Sequence, residues 1–158
     1  MEYAHIMPED IFKNPEVKVY VEAGNSCLGA LGFTEHGRPH AKRCSNYARN
    51  ILEALDYDTR TCELAAIAGY LHDIGNTVNR VDHAHSGAIM AMTILRDLGM
   101  EPKEIATVIA AIGNHDEKTG TAVDAVSAAL ILADKTDVRR NRVRGRDRTK
   151  FDIHDRVN

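Results

Sequence analysis

AIAGYLHDIGN, residues 66–76, runs small and apolar side chains without a break into a histidine and an aspartate. Leu64, Ile67, Ala68 and Leu71 recur at three- and four-residue spacing, the period of a helix face turned toward a core. Asp58 or Thr59 is placed to cap this helix, and Gly75 marks its stop. His72 and Asp73 stand where the apolar face should continue. An unpaired carboxylate in an interior is costly, so this position calls for a compensating cation or hydrogen bonds.

Outward from this stretch, helical periodicity dominates. Val17, Tyr20, Val21, Cys27, Leu28 and Leu31 form one apolar stripe, with Gly24 and Asn25 as candidate interruptions. LGFTEHGR, 31–38, reads as a connection. A second helix starts near Pro39 and carries Cys44, Tyr47, Ala48, Ile51 and Leu55 inward. After the loop GNTVNRVD, 75–82, a fourth helix runs from about Asp82 to Leu98, with Gly99 just beyond it. Pro102 opens a fifth, with Ile105, Val108, Ile109 and Ile112 inward. The sixth runs from about Val123 to Asp137 through Val126, Leu130 and Ala133. No alternating β-branched segment reads as a strand. The expected fold is all-α, a bundle of five to six core helices with short loops. Residues 1–35 are expected to form an N-terminal helical segment, 36–138 the central domain and 139–158 a basic C-terminal segment.

Composition narrows the class. The chain has 158 residues, a length for one domain. Aromatics are 5% with no Trp, which argues against an aromatic-rich recognition surface. No apolar run approaches the roughly eighteen residues of a membrane span, and MEYAHIMPEDIF lacks the pattern of a secretory signal. Cys27, Cys44 and Cys62 are odd in number and form no CxxC pair, so neither a disulfide framework nor a cysteine-based zinc site is expected. The reading is a reduced, cytoplasmic protein with no membrane partner. The net charge of −3 divides unevenly: 139–158 carries seven Arg and one Lys against three Asp. Such a segment is either a solvated tail or a weak pointer to phosphate or nucleic acid. FDIHDRVN, 151–158, reads as the start of another element, either cut short or completed by a partner chain.

The 8 His against 3 Phe are not scattered evenly. His40 lies seven residues before Tyr47, on the inward phase. His72 and Asp73 follow Leu71; His83 lies seven before Met90; His115 lies seven after Val108; Asp134 lies four after Leu130. A single histidine on an apolar face is usually a hydrogen-bonded core residue. Imidazoles and carboxylates converging from several helices are how bundles build metal sites.

The order His40, His72-Asp73, Asp134 resembles the H…HD…D signature of the HD-domain metal-dependent phosphohydrolase superfamily. AIAGYLHDIGN resembles its helix leading into the HD pair, DHAHSGA (82–88) its H-x-x-x-G-A segment, AAIGNHDE (110–117) its further histidine segment, and ILADKTD (131–137) its terminal aspartate. The likeness covers about 36–140 and implies an all-α HD-domain bundle around divalent metal. Carried over, His40, His72, Asp73 and Asp134 hold a first ion, and His83 and His115 a second, with Asp73 bridging. Asp116 takes the place of a further ligand in some relatives, and His85 competes with His83, which the four-residue offset to Gly87 favours. The cyclic-dinucleotide branch carries Lys after its HD-x-G run and a distal Gly-Tyr-Pro; here Asn76 follows and no Gly-Tyr-Pro occurs. Asn114-His115 replaces a tandem histidine, which removes the support for a third ion.

Mixed nitrogen and oxygen ligands suit Fe, Mn, Co, Ni or Zn, with Mg also in range. The implied chemistry is hydrolysis of a phosphoester or phosphoanhydride, of a nucleotide or related small molecule, by a metal-activated water. Asp73 and Asp116 are the catalytic candidates, with Glu117 as an alternative proton acceptor. Arg38, Arg80 and Arg139 are candidates for binding substrate phosphate. His5, His36 and His154 receive no role, although His36 precedes the helix of His40. A homodimer is an open expectation. Two other readings remain: a di-iron oxygenase of the same superfamily, and a non-catalytic nucleotide- or nucleic-acid-binding module.

Overall fold

Helix starts in this chain are set by proline and by capping side chains. The computed structural model describes residues 2–144. Its helices are α1 (Pro8–Lys13), α2 (Pro15–Ala30), α3 (Arg38–Ala54), α4 (Thr59–Leu71), α5 (His83–Asp97), α6 (Pro102–Gly113) and α7 (Ala125–Thr136). Short 3-10 turns at Ile74–Thr77 and Arg140–Arg142 complete the regular structure, and no strand occurs among the described residues. Proline occupies the first turn of α1, α2, α3 and α6, where its missing N–H leaves no bond unmade. Asn14 caps α2 by accepting from Glu16 N and Val17 N, and Asp58 caps α4 by accepting from Thr61 N.

Asp124 caps α7 by accepting from Ser127 N at 2.7 Å, while Ser127 Oγ accepts from Asp124 N at 2.9 Å. This reciprocal pair satisfies donors that the helix cannot satisfy itself. Asp124→Ala is expected to cost about 1 kcal/mol, read as a fall in Tm of roughly 2–4 °C for a chain of this size. An unchanged Tm would show that solvent replaces the cap without loss.

α4 is the central element: every residue from Cys62 to Leu71 is buried. A helix buried all round needs small side chains on the faces where neighbours press closest, and Ala65, Ala66, Ala68 and Gly69 supply them. A Cβ on Gly69 would stand 2.8 Å from the Cys44 carbonyl group and from Ser45 Cα. Thus α3 and α4 meet backbone to backbone, which brings His40 and His72 into reach of each other. α1, α3, α6 and α7 pack against α4; α5 packs against α6 and, like α2, against the Ile74–Thr77 turn. Each fully buried Leu or Ile of this core stabilises the fold by roughly 1.5–3 kcal/mol. Arg60 ties the N-terminal stretch down, donating to Ile6 O at 2.9 Å and pairing with Glu63 at 2.8 Å and Glu104 at 2.6 Å.

The fold is all-α, as expected, with differences in detail. Seven helices rather than five or six occur among the described residues. α1 has too few residues to show a period. Gly24 and Asn25 do not interrupt α2. Cys27 and Leu31, assigned to the apolar stripe, are exposed, as are Leu55 and Val123. Leu31, Leu55 and Val123 lie just outside helices, where the facing neighbour is missing; Leu52 fills the core in place of Leu55. α4 ends at Leu71, four residues before Gly75. Ile6, Ile11, Val17 and Val21, within the expected N-terminal helical segment, belong to the same core as α4. The three cysteines are free. No helix among the described residues is long and apolar enough to cross a membrane. The FDIHDRVN stretch and His154 lie outside the described residues.

Candidate metal centre

One end of the bundle gathers the polar residues that the helical period turned inward. His40 lies in the first turn of α3, His83 opens α5 and Asp134 sits in the last turn of α7. His72 follows the last residue of α4, and Asp73 leaves the helix with φ −100° and ψ 0°. This sparsely populated conformation directs its carboxylate out of the helix line. His115 follows α6. His40, His72, His83 and His115 are each at most 4% exposed. Asp73, His83, His115 and Asp134 line a cavity of about 420 Å³ whose walls include His36, Arg80, Asp116, Glu117, Lys135 and Arg142, with His40 and His72 buried beneath it.

Backbone carbonyls dictate the ring orientations. A carbonyl oxygen only accepts, so the nitrogen facing it carries the proton. His72 Nδ1–H donates to Gly69 O at 2.8 Å, His83 Nδ1–H to Arg80 O at 3.1 Å and His115 Nδ1–H to Ile112 O at 2.6 Å. His40 Nδ1–H donates to Asp137 Oδ2 at 2.8 Å. All four Nε2 atoms therefore point inward, and in the neutral ring each is a lone pair. His40 Nε2 lies 3.3 Å from His72 Nε2, and His83 Nε2 lies 3.1 Å from His115 Nε2. Acceptors that face acceptors need a cation between them.

Asp73 divides its oxygens between the two pairs. Oδ2 lies 3.1 Å from His72 Nε2 and 3.4 Å from His40 Nε2. Oδ1 lies 3.6 Å from His83 Nε2 and 3.8 Å from His115 Nε2. Asp134 Oδ1 completes the first group at 3.2 Å from His40 Nε2 and 3.5 Å from His72 Nε2. Two atoms bound to one ion at ~2.1 Å stand ~3.0–3.4 Å apart for octahedral or tetrahedral angles, so the first group has the spacing of a ligand shell. Asp73 Oδ2 is buried and receives no hydrogen bond among the described residues. That orphaned oxygen, together with the inward lone pairs, fits a bound divalent ion.

The electrostatics agree. Burial opposes charge on His40 and His72, yet the surrounding carboxylates hold both rings well above the ordinary imidazole range. Burial likewise opposes the Asp73 and Asp134 carboxylates, and the imidazoles outweigh it, holding both well below the ordinary range. Without metal, protons supply the positive charge that the carboxylates demand. Burial pushes His83 and His36 the other way, each down to about 4.

The structure sorts the other candidates. Asp116 lines the cavity, with Oδ2 3.9 Å from His83 Nδ1. Glu117 is exposed and paired with Lys135 at 2.7 Å. His85 is 61% exposed, beside Asp82: two residues along a helix from His83, its side chain falls on the other face. Arg80 reaches the cavity, its guanidinium 5.3 Å from the Phe33 ring and its Nη1 3.4 Å from Asn76 Oδ1. Arg38 is exposed and not among the cavity walls. Arg139 directs its guanidinium to Asp137, at 2.5 and 3.0 Å.

Four neighbours receive no role from the sequence, which marks His36 only as a candidate neighbour of the site. His36, with Nδ1–H donating to Thr34 O at 2.7 Å, packs edge-on to His40. Cys44 Sγ lies 3.5 Å from His40 Nε2 and belongs to a group with His40, His72 and Asp134 that could share an ion. Asp137 and Arg142 are buried at the back of the cavity. The available signals were positional: Cys44 is four after His40 on α3, Asp137 is three after Asp134 at the end of α7, and His36 stands just before α3. Arg142 carried none.

These features define a buried histidine–aspartate cluster that could hold metal at the end of an all-α bundle, the arrangement of one known class. The chain belongs to the HD-domain family, which it matches over residues 39–153. It is 30% identical to an uncharacterized protein of Methanocaldococcus jannaschii, in a match covering 86% of this chain and 61% of that protein's length. It also resembles the crystal structure of a predicted HD superfamily hydrolase from an uncultured Thermotogales bacterium. There the TM-score is 0.60 at 28% identity, covering 78% of this chain and 67% of that one. HD domains bind divalent metals, and the groups around His40, His72, Asp73 and Asp134 could hold one.

Proposed function

We propose that this chain is a metal-dependent phosphohydrolase that cleaves a phosphoester or phosphoanhydride of a nucleotide or related small molecule. The observation that carries the reading is the division of Asp73: one carboxylate, with its two oxygens facing two separate imidazole pairs, on the floor of an open cavity. In this reading His40, His72, Asp73 and Asp134 hold one divalent ion, and His83, His115 and Asp73 a second. Bound there, such ions lower the pKa of water and stabilise charge on phosphoryl oxygens. Membership of the family and likeness to a predicted hydrolase support the same reaction class.

The chain's own residues supply the rest. Asp116, half-buried in the cavity wall, is placed to accept the proton of an attacking water. Glu117 is less suited, because Lys135 already neutralises it. Arg80 is the phosphate contact: its planar guanidinium presents paired donors, and Phe33 and Asn76 hold it at the cavity. Arg139 has Asp137 as its partner and Arg38 lies elsewhere, so neither is assigned that role. A cavity of about 420 Å³ suits a small molecule.

The test is elemental analysis of the purified chain, followed by a phosphate-release screen over nucleotides with Mn²⁺, Ni²⁺, Co²⁺ and Mg²⁺. Release that depends on metal supports the reading; no release with any of the four overturns it, and oxygen uptake by an iron-loaded sample would favour the oxygenase. His115→Ala is expected to lower the metal content from roughly two ions toward roughly one per chain, since two nitrogens and one oxygen hold the second ion. An unchanged metal count would remove His115 from the ligand set.

A further inference from the structure

Three of the four clustered histidines lean on a neutral backbone carbonyl, and His40 alone leans on a carboxylate. Asp137 is 1% exposed, and its Oδ2 accepts from His40 Nδ1 across 97 positions of sequence. On its far side, Arg139 Nε donates to Oδ1 at 2.5 Å and Arg139 Nη2 to Oδ2 at 3.0 Å. Arg142, also buried, places Nε 3.8 Å from Oδ2 and donates from Nη1 to the Asp137 carbonyl. Arg142 is itself anchored: Nε donates to Glu35 O at 2.8 Å, and its carbonyl accepts from Glu35 N at 2.8 Å. A buried carboxylate hydrogen-bonded by Arg139 and flanked by Arg142, which also grips its backbone carbonyl, is fixed in place.

We propose that Asp137, clamped by Arg139 and Arg142, is a positioning residue for His40: it fixes the Nδ1 proton and the ring angle that aim Nε2 at the cation. A carboxylate acceptor at Nδ1 also moves electron density toward Nε2, which strengthens that nitrogen as a donor. The first part of the arginine-rich segment then belongs to the metal centre as its outer layer. Arg139 serves by holding Asp137 rather than by meeting substrate. This inference rests on the metal reading of the cluster given above.

The test is metal retention by the full chain loaded with Mn²⁺ and challenged with a chelator. Asp137→Asn preserves size and an acceptor oxygen but removes the charge, and is expected to weaken retention about 10- to 100-fold. In a His40→Ala background the same substitution should change retention by less than about twofold, because the ring it acts through is gone. Wild-type retention by Asp137→Asn overturns the proposal. So does an equal loss in both backgrounds, which would mean that Asp137 acts through the fold. Should the Asn variant fail to fold, the nitrogen shifts of His40 in the Zn²⁺-loaded wild-type chain decide. Nδ1–H with Nε2 metal-bound supports the proposal, and the opposite tautomer overturns it. A wild-type chain that takes up neither ion overturns the metal reading itself, and the inference with it.

Discussion

Asp73→Ala is expected to abolish metal-dependent phosphate release, with kcat falling by more than the roughly 10²–10³-fold that loss of a single stabilising donor costs. The reason lies in the geometry. Asp73 Oδ2 is 3.1 Å from His72 Nε2 and Oδ1 is 3.6 Å from His83 Nε2, so the substitution removes an oxygen from both groups at once. It also removes one of the two carboxylates that lie beside both His40 and His72. Metal content should fall together with activity. The measurement is phosphate release and elemental analysis on the same preparation. Full activity in Asp73→Ala would sink the mechanism.

Gly75→Ala is expected to destabilise the protein by at least about 3 kcal/mol, the upper part of the range for overpacking a filled interior. A Cβ on Gly75 would overlap the His83 carbonyl oxygen and stand 2.5 Å from Gly87 N. Both obstacles are backbone atoms of α5 and cannot rotate aside as a side chain would. Gly87 makes the same approach in reverse: a Cβ there would lie 3.2 Å from Gly75 N. This contact locks the Ile74–Thr77 turn, just after Asp73, onto the start of α5, just at His83. The loss should therefore appear twice, as a fall in Tm of roughly 6 °C or more and as weaker metal retention in the molecules that still fold. A Tm close to wild type would show that the turn can shift away from α5 at little cost.

Much of the fold was legible because a helix is a local repeat. Leu64, Ile67, Ala68 and Leu71 announce their common face within eight residues, and all four are buried. The same repeat turned His40, His83 and Asp134 inward, whereas only the offset to Gly87 in the family motif favoured His83 over His85, which the structure places on the exposed face. It failed at helix ends, where Leu31, Leu55 and Val123 keep the phase but have no neighbour. It also failed for α1, whose six residues cover under two turns. The arginines show the limit most clearly. Arg38, Arg80 and Arg139 were equivalent candidates by position; Arg80 reaches the cavity because Phe33 and Asn76 hold it there, whereas Asp137 holds Arg139.

By itself, the sequence determined the helical class, the inward placement of the chemistry-bearing histidines and aspartates, and the likeness to the HD-domain family. These depend on residue type and on an angular step of about 100° per residue, both local properties. Tertiary structure alone decided what those side chains do together. Which oxygen of Asp73 meets which imidazole pair depends on close approaches such as Gly69 on Cys44 and Gly75 on His83. The direction of each Nε2 depends on what its Nδ1 meets. For His72, His83 and His115 that partner lies three residues back; for His40 it lies 97 residues ahead. A contact over that separation is made only when α3 and the end of α7 pack together, and no local pattern encodes it.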